Sequence, residues 1–247
     1  MSKDNDAVYT DGKWEFDEKV ADCFEDMLER SIPQYEVMRD SVAKLAYKVT
    51  QLPKSKKVSL ELLDIGCSDG IMLERLLKEF ADIESARFTG IDISEPMLTK
   101  AKHRLLEDVI SHRVIIQNCD LRKEFPNGIY DVVTSVLSLQ FTPIEYRQQI
   151  IQAIYDNLIS VNGTFIMVEK VLGNTSKLND LFVDNYYDMK FDNGYSVEQI
   201  DRKKLSLEGV LVPVTNDWNI DLLKQAGFKN VDVFWRWMNF VGYIAIK

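Results

Sequence analysis

The fold is decided by Leu62-Leu63-Asp64-Ile65-Gly66-Cys67-Ser68-Asp69-Gly70. A short, mainly apolar run ends in an acidic residue, and small residues follow at positions 66, 68 and 70. Such a run is typical of a strand buried in a parallel sheet, and small residues let the backbone turn tightly and approach a ligand. The stretch predicts a strand, a tight turn and the start of a helix. By itself it fits a plain turn as well as a cofactor-binding loop.

Strand and helix patterns alternate from about residue 58 onward. Apolar runs predict strands at 60–65, 86–91, 114–116, 130–136 and 164–168. Helical patterns fall between them, at 71–80, after Ser94-Glu95-Pro96 and at 143–158. The tail at 230–237 and 239–246, broken only at Met238, predicts a β-hairpin. Because repeated βαβ units form right-handed crossovers, the fold class is α/β: a Rossmann-like, doubly wound, mostly parallel sheet with a C-terminal antiparallel hairpin.

Two helical segments lie outside this alternation, within what we interpret as a single domain of residues 1–247. The N-terminal extension, residues 1–52, carries apolar residues at helical spacing: Phe16, Val20, Phe24, Met27 and Leu28. We expect Ser31 to cap a second helix that has Pro33 in its first turn. Its apolar side consists of Tyr35, Met38, Val42 and Leu45. Residues 173–217 predict a largely helical, lid-like insertion placed to cover a ligand.

The composition excludes several classes of function. The chain has 247 residues, of which 46% are hydrophobic and 28% charged, as in ordinary globular proteins. A formal net charge of −9 argues against a nucleic-acid partner, because phosphate binding needs clustered Lys and Arg. Three widely spaced cysteines and two histidines predict neither a disulfide framework nor a metal site. No membrane span or secretory signal is visible, so we expect a cytoplasmic protein with no membrane partner.

Acidic residues follow three of the predicted strands. Asp64 ends the first strand, Asp92 ends the second about twenty residues later, and Asp120 follows the third. Ligands of doubly wound sheets bind beyond the carboxyl ends of the strands, where a carboxylate such as Asp92 can accept both hydroxyls of a ribose. The alternatives are a helix cap or a solvated acid at Asp92, and a turn-forming acid at Asp120.

The spacing Asp-x-Gly-x-Ser-x-Gly from Asp64 to Gly70 resembles the first motif of the class I S-adenosylmethionine (SAM) dependent methyltransferases. A dinucleotide-binding fingerprint would place Gly at 66, 68 and 71, whereas this chain has Ser68 and Ile71. The resemblance implies a loop that holds the carboxypropyl end and ribose of SAM. It also implies that Asp120 and the backbone of Leu121 contact the adenine, with the end of the fourth strand beside the sulfonium.

Most of the chain, from about residue 12 to the C-terminus, more closely resembles the carboxy-S-adenosylmethionine synthase family of the tRNA wobble-uridine pathway. The similar stretches are Trp14-Glu15-Phe16-Asp17-Glu18-Lys19-Val20-Ala21, Asp26-Met27, Arg30-Ser31-Ile32-Pro33-Gln34-Tyr35, Leu139-Gln140-Phe141, Glu169-Lys170, Asn193-Gly194-Tyr195-Ser196 and Ala226-Gly227-Phe228. The resemblance implies a homodimer, and prephenate as the source of the carboxyl group. Together with the motifs above, it implies these cofactor-binding residues: Tyr35, Asp64, Gly66, Cys67, Ser68, Gly70, Asp92, Ile93, Asp120, Leu121 and Val136.

Two positions depart from that family. An Asn near the donor group corresponds to Val136, and the Arg that grips the new carboxylate corresponds to Lys204. Lys keeps the positive charge but lacks the two-pronged geometry that matches a carboxylate, and Arg202 substitutes for it only if the local register shifts. The departures favour a SAM-dependent methyltransferase that acts on a small molecule. Two alternatives stay open: a synthase that makes carboxy-SAM from SAM and prephenate, and a catalytically silent SAM-binding protein.

The substrate side of the site is predicted less specifically than the cofactor side. The candidates are Arg39, Tyr186, Tyr187, Tyr195, Arg202 and Lys204. Ordinary packing explains the tyrosines equally well, and a solvated helix face explains the basic run at 202–204 equally well. No residue is assigned a catalytic role, and the sequence names neither the acceptor nor the chain whose site the insertion covers.

Overall fold

The central sheet contains the strands that the sequence predicts, in a computed structural model that describes residues 12–53 and 59–247. Its strands are β1 (Leu60–Ile65), β2 (Ala86–Asp92), β3 (Val114–Asn118), β4 (Val132–Val136), β5 (Thr164–Leu172), β6 (Val214–Thr215), β7 (Asn230–Trp237) and β8 (Phe240–Ile246). Their spatial order is β3-β2-β1-β4-β5-β8-β7, and β6 pairs with the end of β5. β1 to β6 pair in parallel, whereas β8 runs antiparallel to both β5 and β7. The predicted α/β fold class is confirmed.

Helices cover both faces of this sheet. They are α1 (Glu18–Ser31), α2 (Tyr35–Thr50), α3 (Ile71–Glu79), α4 (Glu95–Arg104), α5 (Leu106–Ile110), α6 (Ile144–Asn157), α7 (Ser176–Asp192), α8 (Val197–Leu207) and α9 (Asn216–Ala226). Of these, α2, α3 and α4 lie on one face and α6 and α9 on the other. The side chains of Asp17, Ser94, Thr175, Ser196 and Thr215 cap helix N-termini by accepting a backbone N–H. Such caps satisfy amide groups that have no partner within the helix. None of the described helices is long and apolar enough to cross a bilayer.

The junction between α1 and α2 differs from the sequence prediction. Ser31 is the last residue of α1, and its hydroxyl lies 3.0 Å from the hydroxyl of Tyr195. Pro33 lies before α2, and the residue that precedes the helix is Gln34, in a left-handed conformation. The prediction that Ser31 caps the second helix was wrong, because its side chain is engaged by a residue 164 positions away.

The N-terminal helices and the insertion pack against each other above the carboxyl ends of the strands. The amide of Trp14 donates to the carbonyl of Ser206 at 2.8 Å, and the side chain of Asn193 donates to the carbonyl of Arg30 at 3.0 Å. The buried Tyr195 hydroxyl reaches Ser31 at the end of α1. These contacts enclose the space beyond β1, β4 and β5, the region where ligands of such sheets bind.

Candidate active site

A cavity of about 590 Å³ opens at the carboxyl ends of β1 to β5. The loops after the strands form its floor, the segment from Trp14 to Arg39 forms one wall, and residues of α7 and α8 form another. A volume of this size suits a single small-molecule ligand or cofactor. The insertion therefore lines the cavity of its own chain.

The turn after β1 is shaped so that only glycine fits at position 66. Gly66 has a φ of +68°, and a Cβ on it would overlap the side chain of Ser138, which follows β4. The amides of Gly66 and Cys67 both donate to the carbonyl of Ile91, at 2.8 and 2.9 Å. The turn is thus held against β2, and its backbone lines the cavity.

Asp92, at the end of β2, lies directly beside this turn. One carboxylate oxygen accepts the amide of Ser68 at 3.0 Å, and the other accepts the amide of Ser94 at 2.9 Å. Burial raises the pKa of this carboxyl above its usual value, and the backbone donors act in the opposite direction. Each oxygen keeps a second lone pair, so this cavity-lining carboxylate can also accept hydroxyl groups of a ligand.

Asp64, at the end of β1, carries an unsatisfied oxygen. Its Oδ1 accepts the hydroxyl of Thr134 at 2.6 Å, whereas its buried Oδ2 has no partner among the described residues. Burial raises the pKa of Asp64 to about 7. A buried carboxylate oxygen without a donor is costly, and a cationic ligand group such as an ammonium would satisfy it.

Asp120 follows β3 and lines the same cavity. The guanidinium of Arg122 donates to both of its oxygens at 2.8 Å, and this pairing lowers the pKa of Asp120 to about 2. Leu121 is half-buried and lines the cavity beside it. Ile93, after β2, is 55% exposed and forms part of the rim.

The N-terminal extension contributes an aromatic ring and a buried cation. The guanidinium of Arg39 lies 4.0 Å from the centre of the Tyr35 ring. Arg39 pairs with Glu36, but its Nε has no partner among the described residues. Both Tyr35 and Arg39 are buried and line the cavity.

Three buried polar side chains to which the sequence analysis assigned no role fix the loop after β4. Glu169 accepts the amide of Leu139 at 3.1 Å, and burial raises its pKa to about 8. Gln140 accepts the amide of Lys170 at 2.7 Å. Arg147 donates to the carbonyls of Thr142, Gln140 and Val212, at 2.9, 3.1 and 2.7 Å. This network positions the loop between the cofactor side and the insertion.

Four lysine side chains also line the cavity. They are Lys170 on β5, Lys190 on α7, and Lys203 and Lys204 on α8. Only Lys204 is among the sequence-based candidates, because helical spacing alone does not show which faces of α7 and α8 turn inward, and because Lys170 lies beyond the predicted end of its strand at 168. Within the described ranges, no three His, Cys, Asp or Glu side chains cluster as metal ligands.

Most of the predicted site residues converge on this cavity. Those that line it are Tyr35, Arg39, Asp64, Gly66, Cys67, Ser68, Asp92, Ile93, Asp120, Leu121, Val136, Tyr186, Tyr187 and Lys204. Three do not line it. Gly70 caps α3 with a φ of +84°, Tyr195 is buried against Ser31 and beneath Arg30, and Arg202 lies exposed on α8.

Comparison with known proteins agrees with this geometry. A family model described as a methyltransferase domain matches residues 62–160. A carboxy-S-adenosyl-L-methionine synthase from Methylococcus capsulatus is 36% identical over 94% of this chain and 93% of its own length. One from Sulfurimonas denitrificans is 33% identical over 98% of this chain and all of its own length.

The chain belongs to the carboxy-S-adenosyl-L-methionine synthase family. The chain has the fold of solved methyltransferases. The solved CurJ carbon methyltransferase has a TM-score of 0.65 to this chain, with 15% identity over 94% of this chain and 61% of its own. Magnesium protoporphyrin IX methyltransferase from Synechocystis, solved with bound S-adenosylhomocysteine (SAH), has a TM-score of 0.59, with 17% identity over 97% and 91%.

This member of the carboxy-SAM synthase family is a SAM-dependent, methyltransferase-like transferase with SAM as its cofactor. The cavity suits that cofactor in two respects. The space that a Cβ would fill at Gly66 keeps the turn open, and the unpartnered oxygen of Asp64 matches the ammonium group of a methionine moiety.

Proposed function

We propose that this protein makes carboxy-SAM from SAM and an acidic carboxyl donor, rather than methylating an acceptor. The observation that carries the proposal is the extent of the similarity to the carboxy-SAM synthases, 36% over nearly the full length of both chains. It extends beyond the methyltransferase core at 62–160 to the N-terminal helices and the insertion. Those two segments form the walls of the cavity beyond the cofactor side.

The proposed roles of the cofactor-binding residues follow from their positions. Asp92 holds the ribose hydroxyls, and the backbone of the Gly66 turn and Ser68 lies against the carboxypropyl end. Asp64 accepts the ammonium group, and Asp120 and Leu121 face the adenine. Bound SAM supplies a methyl carbon activated by the adjacent sulfonium.

The chain also keeps water away from the reacting carbon. Aromatic rings line the cavity beside the loop after β4, where Phe16 meets Phe141 edge-on with ring centres 5.1 Å apart. Trp14 and Phe24 pack edge-on against Phe16 in turn. Excluding water protects reactive intermediates and strengthens the electrostatic contacts that position both substrates.

Methyl transfer to a small-molecule acceptor is the second candidate function. It is favoured by two cavity residues, Val136 and Lys204. Val136 offers no polar group near the donor, and Lys204 lacks the planar fork that binds a carboxylate with two parallel hydrogen bonds. If the protein is a carboxy-SAM synthase, other cationic side chains of the cavity must bind the carboxylate.

The deciding experiment is mass spectrometry of the nucleoside product after incubation with SAM and prephenate, the carboxyl source that the family resemblance implies. A product heavier than SAM by the mass of carbon dioxide supports the proposal. Unchanged SAM with prephenate, together with SAH formation in a panel of small-molecule acceptors, supports methyl transfer instead. Binding of SAM without turnover in either assay supports the catalytically silent alternative.

The proposal includes a single domain, which the chain length of 247 residues predicts, and a homodimer, which the family resemblance implies. Because the insertion lines the cavity of its own chain, each protomer would hold a cavity formed by its own residues. Light scattering of the purified protein measures the oligomeric state directly. A monomeric protein with full turnover would contradict the proposed homodimer.

A further inference from the structure

Charged side chains of both signs line the cavity. At the ends of β1, β2 and β3, where the cofactor is proposed to lie, acidic side chains occur together with Arg39 and Arg122. Beyond them, Lys170 on β5 and Lys190 on α7 line the cavity close to one another. Since the chain as a whole carries a net charge of −9, this concentration of positive charge inside one cavity runs against the general balance of the molecule.

Lys170 and Lys190 share one aromatic ring. The Lys170 Nζ lies 4.2 Å from the centre of the Tyr186 ring and 5.7 Å from that of Phe240. The Lys190 Nζ lies 5.8 Å from the Tyr186 centre and 4.6 Å from that of Tyr195. Aromatic faces attract cations, but they carry no formal negative charge, so these rings leave the charge of Lys170 uncompensated.

Among the described residues, no carboxylate forms an ion pair with Lys170. Its neighbour Glu169 points to the opposite face of β5, because successive side chains of a strand alternate, and accepts the Leu139 amide there. Burial, and then repulsion from Lys190, lower the pKa of Lys170 to about 8. Holding two like charges together in a partly desolvated place costs free energy, and a bound anion would offset that cost.

We propose that Lys170 and Lys190 form a subsite that binds a carboxylate group of the second substrate. This inference rests on the proposed function, since it names the group of the acidic co-substrate that these lysines recognise. Lys170 donates from the floor of the cavity and Lys190 from the insertion, so both the sheet and α7 contribute to the subsite. It lies apart from the carboxylates at the ends of β1 to β3, which serve the cofactor.

The pH dependence of anion binding follows from the groups around Lys170. Lys190 and Tyr186 face it from α7, Phe240 faces it from β8, and Gln140 accepts its backbone amide, while Tyr195 contacts Lys190. A carboxylate binds the protonated lysine, so its apparent affinity should fall as the pH rises above about 8. Below that pH the affinity should be nearly constant.

The test uses calorimetry of malonate binding to the full-length protein saturated with SAH. Lys170→Met and Lys190→Met remove one charge each at similar side-chain volume. Lys224→Met changes an exposed lysine on α9 and is the matched control. We expect the affinity for malonate to be at least about tenfold lower in each site variant than in the wild-type protein. A tenfold change in affinity corresponds to ~1.4 kcal/mol. Affinity for SAH should stay unchanged in all three, and Lys170→Arg should retain malonate binding.

Several outcomes would overturn the inference. They are absence of malonate binding to the wild-type protein, equal binding of the uncharged malonamide, or full malonate affinity in Lys170→Met. A parallel loss of thermal stability would instead indicate a structural role, whereas removal of a buried like charge should leave the melting temperature unchanged or raise it. Carboxy-SAM formation is assayed separately. If the wild-type protein makes carboxy-SAM but neither lysine variant has a lower affinity for malonate, only the proposed subsite is refuted.

Discussion

Asp92 combines a structural and a proposed binding role in one carboxylate. It already accepts the amides of Ser68 and Ser94, and the ribose of SAM would use its remaining lone pairs. We predict that Asp92→Asn weakens SAH binding by about ten- to a hundredfold, because hydrogen bonds to a charged acceptor contribute ~1.5–3 kcal/mol. Calorimetry measures the change.

The matched control is Asp221→Asn, which alters an exposed acid on α9 and should leave SAH affinity unchanged. If Asp92→Asn binds SAH as tightly as the wild-type protein does, the carboxylate has only a structural role, as the acceptor of the Ser68 and Ser94 amides. In that case the proposed ribose contact would have to be abandoned.

Asp64 should make cofactor affinity depend on pH. Burial raises its pKa to about 7 in the free protein, and an ammonium group beside its unpartnered oxygen would favour the ionised form. SAH affinity should therefore fall as the pH drops from 7.5 to 5.5, by up to about tenfold per pH unit below 7. Binding titrations across this range should show the slope in the wild-type protein and a nearly flat profile in Asp64→Asn. A flat wild-type profile would contradict the assignment.

The residues of the cofactor side could be predicted because each of them follows a parallel strand of the same sheet. The carboxyl ends of parallel neighbouring strands converge, so acids that end β1, β2 and β3 had to lie at one edge of the sheet. Lys170 lies on β5 beyond residue 168, where the sequence predicts that strand to end. No comparable rule places Lys190. Its position depends on how the insertion packs against the sheet and the N-terminal helices, which is set by long-range contacts such as Tyr195 to Ser31.

At the scale of the element, the turn between β1 and α3 depends on a close approach by the loop after β4. We predict that Gly66→Ala lowers the free energy of unfolding by ~2–4 kcal/mol, since the left-handed conformation and the overlap with Ser138 both oppose a side chain. Gly194→Ala is the control: its φ is +89°, but nothing lies within 4 Å of the added carbon. It should cost only ~1 kcal/mol. Urea denaturation compares the two.

Removing the Ser138 side chain should restore part of that loss. In Gly66→Ala combined with Ser138→Gly the overlap disappears while the backbone strain remains, so the double variant should be more stable than the sum of the single changes. Purely additive effects would mean that the two loops do not compete for the same space.

Elements with a strong local pattern were predicted closely, and those decided by pairing were not. β1 was predicted with the boundaries that the structure shows, because its apolar run and the turn that ends it are both local. β5 was predicted to end at 168 and extends to Leu172, since β8 and β6 pair with its last residues. α9 was missed, because it lies between the insertion and the hairpin and is stabilised by packing on α6.

At the scale of the whole molecule, the architecture separates two tasks. The parallel sheet carries the acids that serve the cofactor, and the extension and insertion supply the aromatic rings and lysines beyond it. The second set encloses the cavity only when residues of α1, near the N-terminus, meet α8 and the turn before it, more than 150 positions later. Sequence patterns predicted both segments as helical, but the cavity between them is a property of the folded chain.

Maintaining several buried carboxyls near this cavity should make global stability depend on pH. Burial raises the pKa of Asp64, Asp69, Asp92 and Glu169 above the values of the unfolded chain. At pH values between the unfolded-state and native-state pKa of such a group, the native state binds more protons than the unfolded state does. The free energy of unfolding therefore falls as the pH rises through this range. The lowered pKa values of Asp120 and Glu36 affect the free energy of unfolding only below pH 4.5, and the lowered pKa of Lys170 affects it only above about pH 8.

We therefore predict that the ligand-free protein loses unfolding free energy as the pH rises from 5.5 to 7.5. The slope should be on the order of 1 kcal/mol per pH unit, because one group that is protonated only in the native state contributes up to about 1.4. Glu169→Gln should flatten the slope, since it removes a carboxyl whose pKa is about 8. Glu84→Gln, an exposed control, should leave the slope unchanged. Urea denaturation at several pH values gives both slopes. A wild-type protein that becomes more stable over this range would show that the backbone donors to Glu169 outweigh its burial, and that the loop after β4 is held by a charged rather than a protonated carboxyl.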